Sequence, residues 1–179
     1  METTQLYIEL IIIGLESFVW ISICIINIIG NKVISYFSNV LNNFSSSLLL
    51  IGILYIIGIL IDRLADMVFQ KGEDKIRNAS GLKAKSSFLI WKKYDARKYS
   101  DYSRSKIRIL RASIINIPLV TMSIMWYILK YFKESYAILI FILFLGIFFT
   151  YISWKSYKLS IERYYDKACA LERSGEKEQ

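Results

Sequence analysis

The chain has 179 residues, 55% of them hydrophobic and 15% aromatic, with a formal net charge of +8 and no histidine. That balance excludes an ordinary soluble domain, which is more polar at this length. It also excludes histidine-based acid–base catalysis, and two distant cysteines with no CxxC exclude a disulfide framework and a zinc site.

Four apolar stretches stand out: Leu6–Ile29, Leu48–Phe69, Ala112–Phe132 and Tyr136–Trp154. Each is near the ~20 residues needed to cross a hydrocarbon core of ~30 Å. The first reads as a retained helix, because Met1–Gln5 carries no basic residue and no small-residue cleavage site follows. The expected fold is an all-α, four-span transmembrane bundle. It divides into residues 1–70 (spans one and two), 71–107 (a basic cytoplasmic loop and helix), 108–154 (spans three and four) and 155–179 (an amphipathic extension).

Orientation follows from the basic residues. Lys71–Arg111 holds thirteen Lys/Arg against four Asp/Glu, and the tail after Trp154 holds six Lys/Arg. The connection Gly30–Ser47 has only Lys32. The positive-inside rule then places the middle loop, the C-terminus and the N-terminus in the cytoplasm.

Span one carries Glu9 and Glu16, seven residues apart and therefore on one face, with Gly14 close to that face. Glu9 is expected near the inner interface and Glu16 about two turns deeper. Charged groups at that depth usually face protein or water. Glu16 therefore either bonds to a neighbouring helix or belongs to a polar lining or ion-pair latch. In the polar stretch that follows, Val33–Leu41 reads as a short interfacial helix and Ser45 as the N-cap of span two.

Span two carries Gly52 and Gly58, residues suited to close helix contact in membranes, and ends in Asp62, Arg63 and Asp66. Asp62 and Asp66 share a stripe with Gly58, and Arg63 lies one position round. An ion-pair cluster of Glu9, Asp62, Arg63 and Asp66 is expected. The competing reading is the ordinary charge of a helix end at an interface. The DRLAD run superficially resembles membrane enzymes that hold a metal with aspartates, but two aspartates alone make no such site. With no P-loop, GxSxG or HExxH, neither an enzyme nor a cofactor is expected.

Lys71–Ser86, with Gly72 and Ser80-Gly81, reads as a turn or link. Ser87–Tyr102 reads as helical. It interleaves Trp91, Tyr94 and Tyr99 with Lys92, Lys93, Arg97 and Lys98. From Ser103 a helix runs directly into span three, and Arg104, Arg108 and Arg111 form one stripe on it. Arginine forks grip phosphate and aromatic faces stack on bases. These residues are therefore the candidate site for a nucleotide or single-stranded oligonucleotide. The competing reading is charge resting on anionic lipid, at ~1 kcal/mol per residue. Span three carries Asn116, a candidate pore or interhelical polar residue, and Pro118, a candidate hinge. Span four is the most uniformly apolar and reads as lipid-facing. Its helical pattern continues through Tyr157, Ile161, Tyr164, Tyr165, Ala168 and Leu171 to about Arg173.

Glu16, Asp62-Arg63, Asn116 with Pro118, and Arg104-x3-Arg108-x2-Arg111 complete a pattern. In it the chain resembles the small membrane effectors of bacterial anti-phage defence systems, of the type that form oligomeric channels gated by a nucleotide or oligonucleotide. The likeness is one of architecture over the whole chain, so no family site carries over. It implies a multi-pass protein of the bacterial inner membrane and a cytoplasmic partner enzyme that makes the ligand. Four short helices leave little room for an internal pore, so a cyclic homo-oligomer is expected, with four as the subunit number. Small bacteriocin immunity proteins and membrane sensor subunits are similar in length and topology. They imply instead a non-conducting anchor that recruits or blocks a protein partner.

Overall fold

The computed structural model describes residues 3–30, 44–80, 91, 97–132 and 136–176. Four helices carry nearly all of them: α1 Thr3–Ile29, α2 Phe44–Ala79, α3 Arg97–Tyr131 and α4 Tyr136–Glu176. Each is long and apolar enough to cross a membrane. The chain is an all-α, four-span integral membrane protein.

The helices differ in how far they overshoot a bilayer. At 1.5 Å per residue α1 is about 40 Å long, and the other three run to about 50–60 Å. All three overhangs lie at one end, where α2 and α4 finish and α3 begins. This end carries most of the basic residues. Here the structure corrects the expectation of a turn from Lys71, because α2 continues unbroken to Ala79. Gly72 costs a helix interior about 1 kcal/mol. Against that, Ile76 packs on an aromatic core, Asp74 pairs with Arg77 at 2.7 Å, and Glu73 faces Arg111. Ser45 lies inside α2 rather than capping it. Val33–Leu41 lies outside the described residues.

α3 is the central helix. α1 and α4 pack along it, and α2 packs mainly on α1. Glu9 meets Arg108, Glu16 meets Asn116 and Asn27 meets Ser123, so α1 and α3 run parallel. α1 stops at Gly30, whose φ of 99° sets the left-handed end, and the Gly30 N–H donates to the Ile26 carbonyl at 2.8 Å.

α1 and α2 touch backbone to backbone. A Cβ on Gly14 would run into the Leu54 carbonyl, and one on Gly58 into the Leu10 carbonyl. The pair is reciprocal, as expected for small residues at a close membrane crossing. Ile13, Ile61 and Ala112 fill the space beside it. α4 presents most of its apolar half outward, with Phe141, Phe144, Ile147 and Phe148 exposed, as the sequence reading of a lipid-facing helix requires.

The overhangs form a second core. Trp91, Ile107, Tyr157, Ile161, Tyr164, Tyr165 and Ala168 pack together, with Phe69 and Ile76 of α2 against them. Trp91 is 2% exposed, its ring 5.2 Å from Tyr164 and 5.6 Å from Tyr99. Phe69 meets Tyr157 edge-on at 5.2 Å.

Candidate functional site

The junction between the membrane bundle and this aromatic core is a layer of charge. Arg104, Arg108 and Arg111 recur at helical spacing on α3, and Asp62, Asp66 and Glu73 recur along α2. Arg108 donates to Glu9 of α1 at 2.8 Å and lies 3.6 Å from Asp62. Arg111 donates to Asp66 at 2.6 Å and to Asp62 at 3.3 Å, and its Nη1 is 3.6 Å from Glu73. Two guanidiniums thus tie three helices together through four carboxylates. Glu9 is buried and the Arg111 side chain is only 8% exposed. Water screens these two groups poorly, and removing a partner from either would leave a buried charge short of its counter-charge.

The acids gather as the sequence reading expects, but the cation differs. Arg63 is exposed and does not join the cluster. One residue on from Asp62 is 100° round the helix, which turns Arg63 away from α1 and α3. Arg108 and Arg111 take its place.

Beside the charge layer lies a polar cavity of about 300 Å³. Four arginines line it: Arg77 from α2 and Arg104, Arg108 and Arg111 from α3, against the carboxylates of Asp66 and Glu73. Tyr164 and Tyr165 of α4 close one wall. Arg104 donates to the Tyr164 hydroxyl at 3.1 Å, and its guanidinium lies 5.8 Å from the centre of the Tyr164 ring. The Nε of Arg111 is buried with no hydrogen-bond partner. That N–H is occluded, so an oxygen in the cavity reaches it only if the Arg111 side chain shifts.

The other expected ligand residues fall differently. Trp91 is buried in the core, so no ligand base can stack on it unless that core opens. Tyr99 is covered by Trp91, and the Lys167 ammonium sits 3.4 Å from its ring centre. Lys98 is exposed on the surface. Lys92, Lys93 and Tyr94 lie outside the described residues, as does the side chain of Arg97. Sequence reasoning missed Glu73, Arg77, Tyr164 and Tyr165 as cavity residues. Glu73 lies eleven positions after Asp62, on the same helical stripe, and continuing α2 past Gly72 would have found it.

Deeper in the bundle, Glu16 meets α3. Ser113 Oγ lies 3.0 Å from both of its carboxylate oxygens, and Asn116 Nδ2 donates to it at 3.3 Å. Ser17 Oγ and Trp20 Nε1 in turn donate to Asn116 Oδ1, at 3.0 and 3.3 Å. Near the far end, Asn27 Nδ2 donates to the Ser123 carbonyl at 3.2 Å, and Lys130 caps the Asn27 carbonyl. Pro118 lies within α3, which continues through it, and faces a groove of about 450 Å³ between α3 and α4.

No protein-family model, curated protein or solved structure matches the chain.

Proposed function

We propose that the protein is an oligomeric, channel-type membrane effector of the bacterial inner membrane, gated by a phosphate-bearing ligand at the arginine cavity. The reading rests on one observation: four arginines line a polar cavity of about 300 Å³ against two carboxylates. Bidentate guanidinium contacts are the strongest phosphate grips a protein makes. The size suits a nucleotide or smaller anion, and Tyr164 and Tyr165 supply an aromatic wall.

The gating follows from what the arginines already hold. Arg108 and Arg111 bridge α3 to acids on α1 and α2. A phosphate that takes those guanidiniums leaves Glu9, Asp62, Asp66 and Glu73 without their counter-charge. The arrangement of α3 against α1 and α2 then changes in stability, by as much as the ligand prefers one arrangement over the other. Pro118, further along α3, absorbs the resulting bend. Conduction runs between protomers, because Glu16, Ser17, Ser113 and Asn116 inside one protomer bond to each other.

Those same interhelical bonds favour a second reading, a non-conducting anchor, sensor or immunity subunit. Ser17, Asn116 and Asn27 all serve as interhelical ties. Flux assays on protein in liposomes separate the two. Ligand-dependent conductance is expected, and its absence leaves the anchor.

The binding test uses the purified protein in nanodiscs, titrated with nucleotides and short single-stranded oligonucleotides. Arg77→Ala/Arg104→Ala removes two cavity cations that lie outside the buried ion-pair layer. This double variant is expected to weaken binding at least tenfold while the fold persists. Wild-type affinity is expected to fall as salt rises, through counterion release. Unchanged binding by the double variant removes the cavity from the site, and no binding by wild type returns its arginines to a structural role. Orientation has its own check. A reporter fused after Gln179 is expected in the cytoplasm and one inserted near Asn39 outside, and the reverse would place the cavity on the wrong face.

A further inference from the structure

We propose that the membrane groove at Glu16 binds a lipophilic organic cation, whose charged centre pairs with the Glu16 carboxylate. The groove holds about 490 Å³ and lies between α1, α3 and α4. α4 leans on α3 with no packed seam against α1, so the groove faces the lipid. Val19, Ile117, Val120, Ile142 and Phe149 make its wall apolar. Ser113, Asn116, Thr121 and Ser153 are its neutral polar groups, and Glu16 is the one titratable residue among the described residues that line it.

Glu16 differs from every acid of the charge layer in having no cation. Seven residues separate it from Glu9, which places it about 10 Å further along α1. Arg108 and Arg111 are held by Glu9, Asp62, Asp66 and Glu73. Among the described residues, no Lys or Arg nitrogen pairs with Glu16. Its partners are Ser113 and Asn116, which are neutral donors. An intramembrane acid without a counter-charge is a functional group by default.

The hydrogen-bond geometry allows either a proton or an external cation to balance this carboxylate. Ser113 has one hydroxyl hydrogen but three acceptors in reach: Glu16 Oε1 and Oε2 at 3.0 Å, and the Ile109 carbonyl at 3.1 Å. With Glu16 ionised, Ser113 donates to it. With Glu16 protonated, the carboxyl donates to Ser113, which turns its own hydrogen to Ile109. No heavy atom has to move between the two states. Such a site can give up its proton for a cation without rearranging. The groove supplies the remaining complementarity, an apolar wall for the body of the ligand that includes the Phe149 ring. A lipid tail alone would fill the wall and leave a proton as the only means of balancing Glu16.

The proposal is independent of the arginine cavity, and its test uses no phosphate ligand. Protein in nanodiscs is titrated with tetraphenylphosphonium and with dodecyltrimethylammonium, against dodecanol as the neutral probe. Saturable binding of the cations is expected, one per protomer, weakening as pH falls because a proton competes for Glu16. Glu16→Gln is expected to lose at least tenfold in cation affinity with no change for dodecanol. In wild type, the cation is expected to protect Glu16 from dicyclohexylcarbodiimide labelling, read by mass spectrometry. Should Glu16→Gln fail to fold, Val19→Trp narrows the groove while keeping Glu16, Ser113 and Asn116, and is expected to weaken the same binding. Equal affinity for cation and dodecanol would make the groove a lipid site. Binding that appears only when oligomers dissociate would assign the groove to a second copy. Either result, or a labelled Glu16 indifferent to the cation, overturns the proposal.

Discussion

Arg111→Ala is expected to destabilise the bundle by about 3–5 kcal/mol, the range for breaking a buried ion pair by removing one partner. Arg111 is the most buried cation of the charge layer, with its side chain 8% exposed. Its loss strands Glu73 at 26% exposure and leaves Asp62, at 17%, with Arg108 alone at 3.6 Å, while Asp66 at 51% can turn to water. The lower end of the range is therefore expected. Arg111→Lys keeps the charge and loses the fork, so it should fall between wild type and alanine. Glu73→Gln in the alanine background removes the stranded charge and should recover part of the loss. Arg63→Ala is the control. That side chain is exposed and outside the cluster, so its effect should stay within about 0.5 kcal/mol. Denaturant titration in detergent reads all four. Equal losses for Arg63→Ala and Arg111→Ala would mean that the charge layer is not what holds α2 to α3.

This contrast also marks how far the sequence could be read. The spans were legible because a bilayer demands long apolar runs and little else satisfies that pattern. The acids were legible because charge inside such a run is rare. Which cation they choose was not, since α2 offers Arg63 one residue from Asp62 while the real partners lie 46 and 49 positions away. Local adjacency suggests a pair that helix geometry forbids. Trp91 shows the opposite limit. Aromatic and basic residues alternating along a segment describe a ligand surface and a half-buried helix equally well, and only the packing of α4 decides that Trp91 faces inward. The continuation of α2 past Gly72 was hidden for a similar reason. Glycine, lysine and aspartate weaken a helix locally, and the contacts that overrule them come from α3 and α4.

The second large effect is expected at the α1–α2 crossing, where Gly14→Ala and Gly58→Ala should each reach the top of the 1–3 kcal/mol typical of overpacking. Each new methyl meets a backbone carbonyl, Leu54 for Gly14 and Leu10 for Gly58. A side chain in the way can change rotamer, but a carbonyl moves only if its helix moves. In lipid no hydrophobic force pulls the helices back together, so the lost close packing is not recovered elsewhere. Two other glycines calibrate the result. Gly146→Ala meets the side chain of Thr121, which can yield in part, and should cost less. Gly52→Ala meets nothing within 4 Å and should be neutral, or stabilising by about 0.4–1 kcal/mol through the unfolded chain. The order Gly14 and Gly58, then Gly146, then Gly52 is what the same detergent titration should return. That order bears on mechanism, because a backbone-tight α1–α2 pair moves as one body and leaves α3 and α4 as the parts able to shift. If Gly14→Ala proves as harmless as Gly52→Ala, α1 and α2 are free to slide, and a gate at their seam becomes the better account.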